Sequence, residues 1–309
     1  MKTPPYLQKG DSVAIVAPAR SVSIEEMMPA ITLFEEWGLK VVLGEHLFAV
    51  HNQYAGTEEE RAGDFQKMLD DQGIKAIFCA RGGYGVVRII DLLSFECFNR
   101  HPKWIVGYSD ITVLHSHIQT CFGIETLHAT MPINVYANPN YESTESMHDA
   151  LFGKQLSYQI PNPSFSRVGE GKGELIGGNL SILYSLVGSE SDINTDGKIL
   201  FIEDLDEYLY HIDRMMQNMK RSGKLNYLAG LVIGGLTEMK DNTIPFGKSA
   251  EEIILEAVAE YDYPVCFGFP AGHMDDNRAV IMGRQVTLVV KKDESVLNFA
   301  INKTALQSL

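Results

Sequence analysis

A serine on a sharp turn is the side chain best placed to do covalent chemistry in this sequence. Ser109 follows the apolar run Trp104–Val106, which predicts a buried strand, and precedes a helical pattern that begins at Asp110. Such a turn exposes the hydroxyl at the carboxyl edge of a parallel sheet, beside N–H groups that can stabilise an oxyanion. Gly107 permits the close backbone approach that the turn needs, but Ile111 replaces the usual second glycine. Taken alone, these residues favour a simpler interpretation, in which Ser109 only caps the helix.

A nucleophilic serine also needs a histidine base within hydrogen-bond reach. The sequence has nine histidines. His273 follows a predicted strand and lies in a loop held by Pro270 and Gly272, which suits a fixed imidazole. His128 ends a strand at the same predicted sheet edge as Ser109, but core packing explains it equally well. We therefore expect His273 to be the leading candidate base and leave His128 open.

An acid must orient that base, and several carboxylates compete for the role. Glu203 ends the apolar run Ile199–Ile202, so it lies at the end of a predicted strand. Asp204, Asp206 and Glu207 also precede a helix, where they favour its N-terminal dipole. Spacing does not choose among them. The order serine, Glu203, histidine does match the serine, acid, histidine order of one large hydrolase architecture.

A glycine-rich loop, Arg81–Gly85, leaves one predicted strand and enters a predicted helix over 86–93. Its N–H groups predict an anion-binding nest, either for a phosphate or for an oxyanion opposite Ser109. The loop matches neither the dinucleotide fingerprint nor a Walker loop, so a nucleotide site is the weaker interpretation. A second run of glycines, 169–178, is expected to serve turns and close helix packing.

The elements that carry these residues alternate between strands and helices. Apolar runs at 12–17, 39–43, 74–80, 104–106 and 124–128 are separated by helical patterns. This alternation predicts a doubly wound parallel sheet, whose ligand sites lie beyond the carboxyl ends of the strands. We predict an N-terminal domain over 1–137, an interdomain connection over 138–166, and a smaller domain with mixed strands over 167–309. The last domain is expected to close with a hairpin of strands 279–282 and 285–290, turning at Gly283-Arg284.

Composition limits the class of protein further. The 309 residues include 26 basic and 40 acidic side chains, for a net charge of −14, and no basic cluster stands out. This argues against binding to nucleic acid or to an anionic membrane. The N-terminus lacks the apolar core of a signal peptide, and no apolar stretch reaches transmembrane length, so we expect a cytoplasmic protein. The four cysteines are scattered and no metal-ligand motif occurs, so neither a metal nor another cofactor is expected.

Six ordered motifs together resemble the LD-carboxypeptidase family, the murein tetrapeptide carboxypeptidases. The motifs are Ala80-Arg-Gly-Gly-Tyr-Gly85, Gly107-Tyr-Ser-Asp-Ile-Thr112, Gly177-Gly-Asn-Leu180, Phe201-Ile-Glu-Asp204, Tyr210-His-Ile-Asp-Arg-Met215, and Gly268-Phe-Pro-Ala-Gly-His273 followed by Asp276-Asn-Arg278. The resemblance implies a flavodoxin-like N-terminal domain, a swivelling β/α C-terminal domain, an active site between them, and a homodimer. By motif, the family's Ser-Glu-His triad falls on Ser109, Glu203 and His273.

The resemblance also implies a reaction. Backbone N–H groups of Gly83 and Asp110 would form the oxyanion hole, and the triad would release D-alanine from murein tetrapeptides through an acyl-enzyme, without a metal. An exopeptidase must also bind a terminal carboxylate, for which arginine is suited. Arg81 is the first candidate and Arg278 the second, although both are also compatible with structural ion pairs.

Two alternatives remain open at this level. A microcin-immunity serine peptidase resembles the same family but acts on peptidyl-nucleotides. A non-catalytic binder of cell-wall peptides would belong to a different class, and an intact set of Ser109, Glu203 and His273 argues against it. Neither the third residue of the peptide, diaminopimelate or lysine, nor the dimer surface follows from the sequence.

Overall fold

The computed structural model describes residues 1–135 and 141–301, which form two sheets flanked by helices. In chain order the strands are β1 (Ser12–Val16), β2 (Lys40–Leu43), β3 (Ile74–Cys79), β4 (Trp104–Gly107), β5 (Thr126–His128), β6 (Ser157–Pro161), β7 (Gly169–Asn179), β8 (Ile199–Leu205), β9 (Gly230–Thr237), β10 (Val265–Cys266), β11 (Val280–Met282), β12 (Gln285–Val290) and β13 (Glu294–Phe299). The helices are α1 (Ile24–Glu36), α2 (Glu58–Asp70), α3 (Glu96–Arg100), α4 (Thr112–Phe122), α5 (Tyr141–Leu151), α6 (Leu180–Leu186), α7 (Leu209–Arg221) and α8 (Ala250–Ala257). Within these described residues, no helix is both long and apolar enough to cross a membrane.

The first sheet has the spatial order β2-β1-β3-β4-β5-β11, and every pair except β5 with β11 is parallel. The order 2-1-3-4-5 is that of flavodoxin-like sheets, so the predicted doubly wound fold is confirmed. The chain reverses its direction of travel across the sheet between β1 and β3, and ligands of such sheets bind beyond the carboxyl ends of the strands at that point. Arg20 follows β1, and the loop Arg81–Gly85 follows β3.

The second sheet is mixed, with the order β10-β9-β8-β7-β12-β13-β6. Strands β7 to β10 are parallel, and β12, β13 and β6 add to them antiparallel. Of the two roles predicted for glycines 169–178, the turns are wrong, because these residues form β7. Close helix packing holds at Gly178, where a Cβ would lie 2.5 Å from Oγ1 of Thr112 in α4. A Cβ on Gly171 would lie 1.9 Å from the carbonyl oxygen of Ala229, and one on Gly177 1.9 Å from that of Phe201. The glycines therefore permit close backbone approach within the sheet.

The predicted closing hairpin is also wrong. Strand β11 pairs with β5 of the first sheet, whereas β12 pairs with β7 and β13 of the second. The turn at Gly283-Arg284 therefore carries the chain from one sheet to the other. All three residues of β11 are buried, so pairing with β5 places this apolar run in the core. The buried side chain of Arg284 binds Glu125, which precedes β5, at 2.6 Å.

The segment between the two sheets has structure of its own. The start of the predicted connection, 138, lies outside the described residues, but from Tyr141 the segment contains α5 and then β6, the edge strand of the second sheet. A single buried apolar cluster joins the sheets, with Phe78 and Trp104 from the first and Phe201 and Leu288 from the second. The division into domains at the predicted boundaries stays a prediction.

Candidate active site

The turn after β4 gives Ser109 an unusual backbone conformation. Ser109 has a φ of 65°, which is uncommon for a non-glycine residue. Such a conformation costs about 1–3 kcal/mol and persists where surrounding structure imposes it. Neither the short 3-10 turn Ser109–Ile111 nor α4 receives a side-chain cap from this serine, since their capping positions are Tyr108 and Ile111. The simpler interpretation, that Ser109 serves only as a helix cap, is therefore wrong.

The glycine loop after β3 packs directly against this serine. A Cβ on Gly82 would lie 2.9 Å from Ser109 Cβ, 3.1 Å from its Oγ and 3.4 Å from the backbone nitrogen of Asp110. Gly83, the next residue, has a φ of 105° and lines the same cavity as Ser109 and Asp110. The two residues whose N–H groups the resemblance assigns to an oxyanion hole therefore lie on neighbouring segments and line one cavity with Ser109.

A buried carboxylate joins those two segments. Asp110 is 1% exposed, and its Oδ2 accepts a hydrogen bond of 2.9 Å from the N–H of Val86. Burial raises the pKa of Asp110 to about 6, although bonds from the N–H groups of Val86 and Gly85 oppose the rise. The predicted helix over 86–93 is replaced by two short 3-10 turns, Val86–Arg88 and Ile90–Leu92. The N–H at the start of the first turn is thus bonded to the carboxylate of Asp110.

A second pair of residues comes from the other sheet. Glu203 is fully buried, and its Oε2 accepts hydrogen bonds from the backbone N–H of His273 at 3.1 Å and from its Nδ1 at 2.7 Å. The ring of Tyr108 lies edge-on to the imidazole, with centroids 4.9 Å apart, and Thr237 Oγ1 donates to the carbonyl of His273 at 2.9 Å. The imidazole is therefore fixed in orientation, with Nδ1 paired to the acid.

The pKa of His273 reflects two opposing effects. Burial lowers it, but the charge of Glu203 and its hydrogen bond raise it more, so the net pKa lies above the usual 6.5. The neighbouring Asp204 forms its hydrogen bonds with other residues. Its carboxylate accepts hydrogen bonds from Asn179 Nδ2 and from the backbone N–H groups of Ser181 and Leu205. Burial, with the charge of Glu203, raises the pKa of Asp204 to about 7.

A cavity of about 460 Å³ brings these parts together at the carboxyl edges of both sheets. Its lining includes Ser109, Gly83 and Asp110 from the first sheet and His273 from the second, while Glu203 lies behind the imidazole. Further lining residues are Arg20, Arg81, Gly82, Tyr108, Met131, Ile133, Asn134, Asn179, Ser181, Ile182, Asp204, Leu205 and Glu207.

The two candidate arginines are placed differently. Arg81 lines the cavity. Arg278 is not among its lining residues; it pairs with Asp276 at 2.9 Å and lies 6.0 Å from the ring centre of Tyr158. A guanidinium with these partners has a structural role available, so Arg81 is the better placed of the two for a substrate carboxylate.

Comparison with known protein families finds a match in each half of the chain. A family model described as the LD-carboxypeptidase N-terminal domain matches residues 13–129, and one described as the LD-carboxypeptidase C-terminal domain matches residues 172–288. The chain belongs to the LD-carboxypeptidase family. A probable murein peptide carboxypeptidase of Bacillus subtilis strain 168 is 34% identical over 313 residues, covering 99% of this chain and 97% of the relative. The family and this relative make the chain a serine-type carboxypeptidase.

Solved structures share the fold. The muramoyltetrapeptide carboxypeptidase of Oxalobacter formigenes superposes with a TM-score of 0.86 at 24% identity, covering 94% of this chain and 98% of that one. MccF in complex with glutamyl sulfamoyl guanosine gives a TM-score of 0.86 at 20% identity, covering 96% and 98%. At these identities the likeness is one of fold, and it includes both domains of this LD-carboxypeptidase.

Sequence reasoning missed several lining residues of this LD-carboxypeptidase, and Arg20 is the most informative. The end of β1 has no glycine-rich motif, so Pro18-Ala-Arg20 gave no local signal. The signal lies in the strand order, which places the ends of β1 and β3 side by side. A Cβ on Gly83 would lie 2.2 Å from Arg20 Cδ, so this side chain packs on the glycine loop.

The remaining histidines near the site are buried in the core. His128 is fully buried and its ring centre lies 5.1 Å from that of Phe201. Burial lowers its pKa well below 6.5. His115 Nε2 contacts the carbonyl of Gly107 at 2.8 Å, and burial lowers its pKa to about 4. Both rings are suited to pack neutral beneath the site.

Proposed function

We propose that this LD-carboxypeptidase cleaves the L,D-peptide bond that releases the terminal D-alanine of murein tetrapeptides, with Ser109 as nucleophile, His273 as base and Glu203 as the orienting acid. One observation carries the proposal: Ser109 and His273 line one cavity, and Glu203 binds the Nδ1 of that histidine. The names of the Bacillus and Oxalobacter relatives support the substrate class.

The proposed reaction is acyl transfer to serine. His273 Nε2 takes the proton from the Ser109 hydroxyl as its oxygen attacks the carbonyl of the L-residue, and Glu203 stabilises the imidazolium. The N–H groups of Gly83 and Asp110 bind the oxyanion of the tetrahedral intermediate. When the intermediate collapses, the C–N bond breaks and the imidazolium gives its proton to the amine of the departing D-alanine. Water then attacks the acyl-enzyme, again with His273 as base, and Ser109 is regenerated.

The carboxypeptidase specificity is proposed to come from the arginines of the first sheet. Arg81 and Arg20 follow adjacent strands and both line the cavity. Guanidinium groups bind carboxylates through paired, charge-assisted hydrogen bonds. The terminal carboxylate lies only one residue beyond the attacked carbonyl, so its partner must lie close to the oxyanion hole. Arg20 meets that requirement because it packs on Gly83.

The test measures D-alanine released from the free tetrapeptide L-Ala-γ-D-Glu-diaminopimelate-D-Ala. The protein is compared with Ser109→Ala and with Ser185→Ala, an exposed serine outside the cavity whose hydroxyl binds the carbonyl of Ile182. We expect release by the parent and by Ser185→Ala, and a loss of at least about 10³-fold in Ser109→Ala.

Three results would overturn the proposal in different ways. Release by Ser109→Ala at the parent rate would remove the nucleophile. No release by the parent, together with hydrolysis of a peptidyl-sulfamoyl nucleotide, would move the function to the microcin-immunity type. No turnover of either substrate, with measurable binding of the tetrapeptide, would favour the binding protein.

A further inference from the structure

The arginines of the cavity lining come from the first sheet, and two of its three acidic side chains come from the second. The third acid, Asp110 of the first sheet, is 1% exposed and already accepts the N–H of Val86. The cationic side chains of the lining, Arg20 and Arg81, follow strands of the first sheet. The acidic side chains from the second sheet are Asp204 and Glu207, at and after the end of β8. Ser109 and His273 line the same cavity as these charged groups. A ligand that bridges the cavity would therefore be bound best with an anionic group toward the arginines and a cationic group toward the acids.

Asp204 and Glu207 differ in whether a carboxylate oxygen remains available to bind a ligand. Asp204 is 2% exposed, and it already accepts hydrogen bonds from Asn179, Ser181 and Leu205. Glu207 has a side-chain exposure of 21%, and its Oε2 pairs with His211 Nδ1 one turn along α7. Within residues 1–135 and 141–301, no hydrogen bond is made to its Oε1, and that atom is accessible to solvent. Glu207 is thus the acid that has an oxygen available to a ligand.

We propose that Glu207 forms a subsite for an ammonium group on the side chain of the residue whose carbonyl is attacked. This inference rests on the proposed function, and it adds the chemistry of the third peptide position, which lysine and diaminopimelate share. With the terminal carboxylate on Arg20 and Arg81, the attacked L-residue lies at Ser109. The proposal places its side chain on the side of the second sheet, where Glu207 lines the cavity.

The geometry around Glu207 supports a fixed carboxylate. Its backbone carbonyl accepts the N–H of Lys240, which ties the residue to the segment after β9. The His211 contact holds the other oxygen from one turn along the helix. The ammonium of Lys240 is engaged by Asp206, so it does not compete for Glu207. A carboxylate held in this way is preorganised for a cation.

The experiment compares three tetrapeptides that differ only at the third residue: lysine, diaminopimelate and Nε-acetyl-lysine. The variant is Glu207→Gln, which keeps the size of the side chain and removes its charge. The control is Glu260→Gln. Glu260 is an exposed glutamate that lies after α8, outside the cavity, and pairs with Lys220 at 2.7 Å. We expect Glu207→Gln to lower kcat/KM about 10- to 100-fold for the two peptides with an ammonium group, mainly through KM. Nε-acetyl-lysine peptide and Glu260→Gln should show less than about a twofold change.

Each other outcome overturns the inference. An equal loss on all three peptides would make Glu207 a structural residue of the site. Unchanged kinetics on all three would show that the ammonium is bound elsewhere or left in water. If the unsubstituted protein releases D-alanine from none of the peptides, the proposed function itself fails, and this result is distinct because it precedes any comparison of variants.

Discussion

Adding one methyl group at Gly82 should displace the nucleophile of this LD-carboxypeptidase. In Gly82→Ala the new Cβ would lie 2.9 Å from Ser109 Cβ, whereas ordinary contact begins at 3.4 Å, so about 0.5 Å must be made up by movement. Misplacing a reacting group by about 1 Å lowers the rate roughly 10²-fold. Half that displacement gives an expected loss of about tenfold in kcat, with KM little changed. Overpacking should also lower the free energy of unfolding by about 1–3 kcal/mol.

The matched control is Gly63→Ala. Gly63 lies inside α2, and apart from the backbone of that helix a Cβ there would meet no atom of the described residues within 4 Å. Alanine in a helix interior is more stable than glycine by about 0.5–1 kcal/mol, so this variant should melt slightly higher and turn over normally. D-alanine release and thermal unfolding are measured on both variants. Full activity in Gly82→Ala would refute the inference that the glycine loop sets the position of Ser109, and a similar loss in Gly63→Ala would assign the effect to the fold at large.

Two further predictions concern ionisable groups. Because Glu203 raises the pKa of His273 above 6.5, the acidic limb of the pH–kcat/KM profile should lie above pH 6.5. Glu203→Gln should move that limb to lower pH and lower kcat about 10²- to 10⁴-fold. An acidic limb at the same pH in the variant would contradict the pairing of Glu203 with His273. Burial raises the pKa of Asp110 to about 6, so its ionised form destabilises the fold above that pH. Asp110→Asn should therefore raise the melting temperature at pH 8, and this gain should shrink below pH 6. The kcat should fall, because the N–H of Val86 loses its anionic acceptor. A gain in melting temperature that is independent of pH would contradict this reasoning.

The parts of the site that depend on neighbouring residues could be predicted from the sequence. A short apolar run, Ser109 and a helical pattern define the turn after β4 locally, and the structure has that turn. The alternation of strands and helices likewise predicts the doubly wound sheet, because each apolar run needs cover on both faces. These features do not require knowledge of distant contacts.

The choice of the acid could not be made from spacing, and the structure explains why. Successive side chains of a strand point to opposite faces. Glu203 contacts His273, whereas Asp204, the next residue along β8, contacts Asn179 and the start of α6. Both are buried acids at the end of one strand, so only the position of the distant loop at 273 separates them. The family resemblance supplied what spacing lacked.

Strand pairing was the other property that local patterns did not settle. Val280–Met282 and Gln285–Val290 flank a glycine turn, which is the pattern of a hairpin. The pairing of β11 with β5 requires an open edge on the first sheet. The residues next to β11 in the sequence do not indicate that such an edge exists. Arg20 was missed for the same reason, since its place beside Arg81 follows from the order of β1 and β3 in the sheet.

A contact between the first residue of α4 and the end of β7 indicates that the protein positions the nucleophile and the acid before a peptide binds. The first residue of α4, Thr112, accepts a hydrogen bond of 3.0 Å at its Oγ1 from the N–H of Asn179 at the end of β7. A Cβ on Gly178 would lie 2.5 Å from that same oxygen, so only glycine permits the approach. Asn179 is in register with Glu203 on the neighbouring strand. One hydrogen bond therefore links the helix that follows Ser109 to the strand that pairs with the strand carrying the acid.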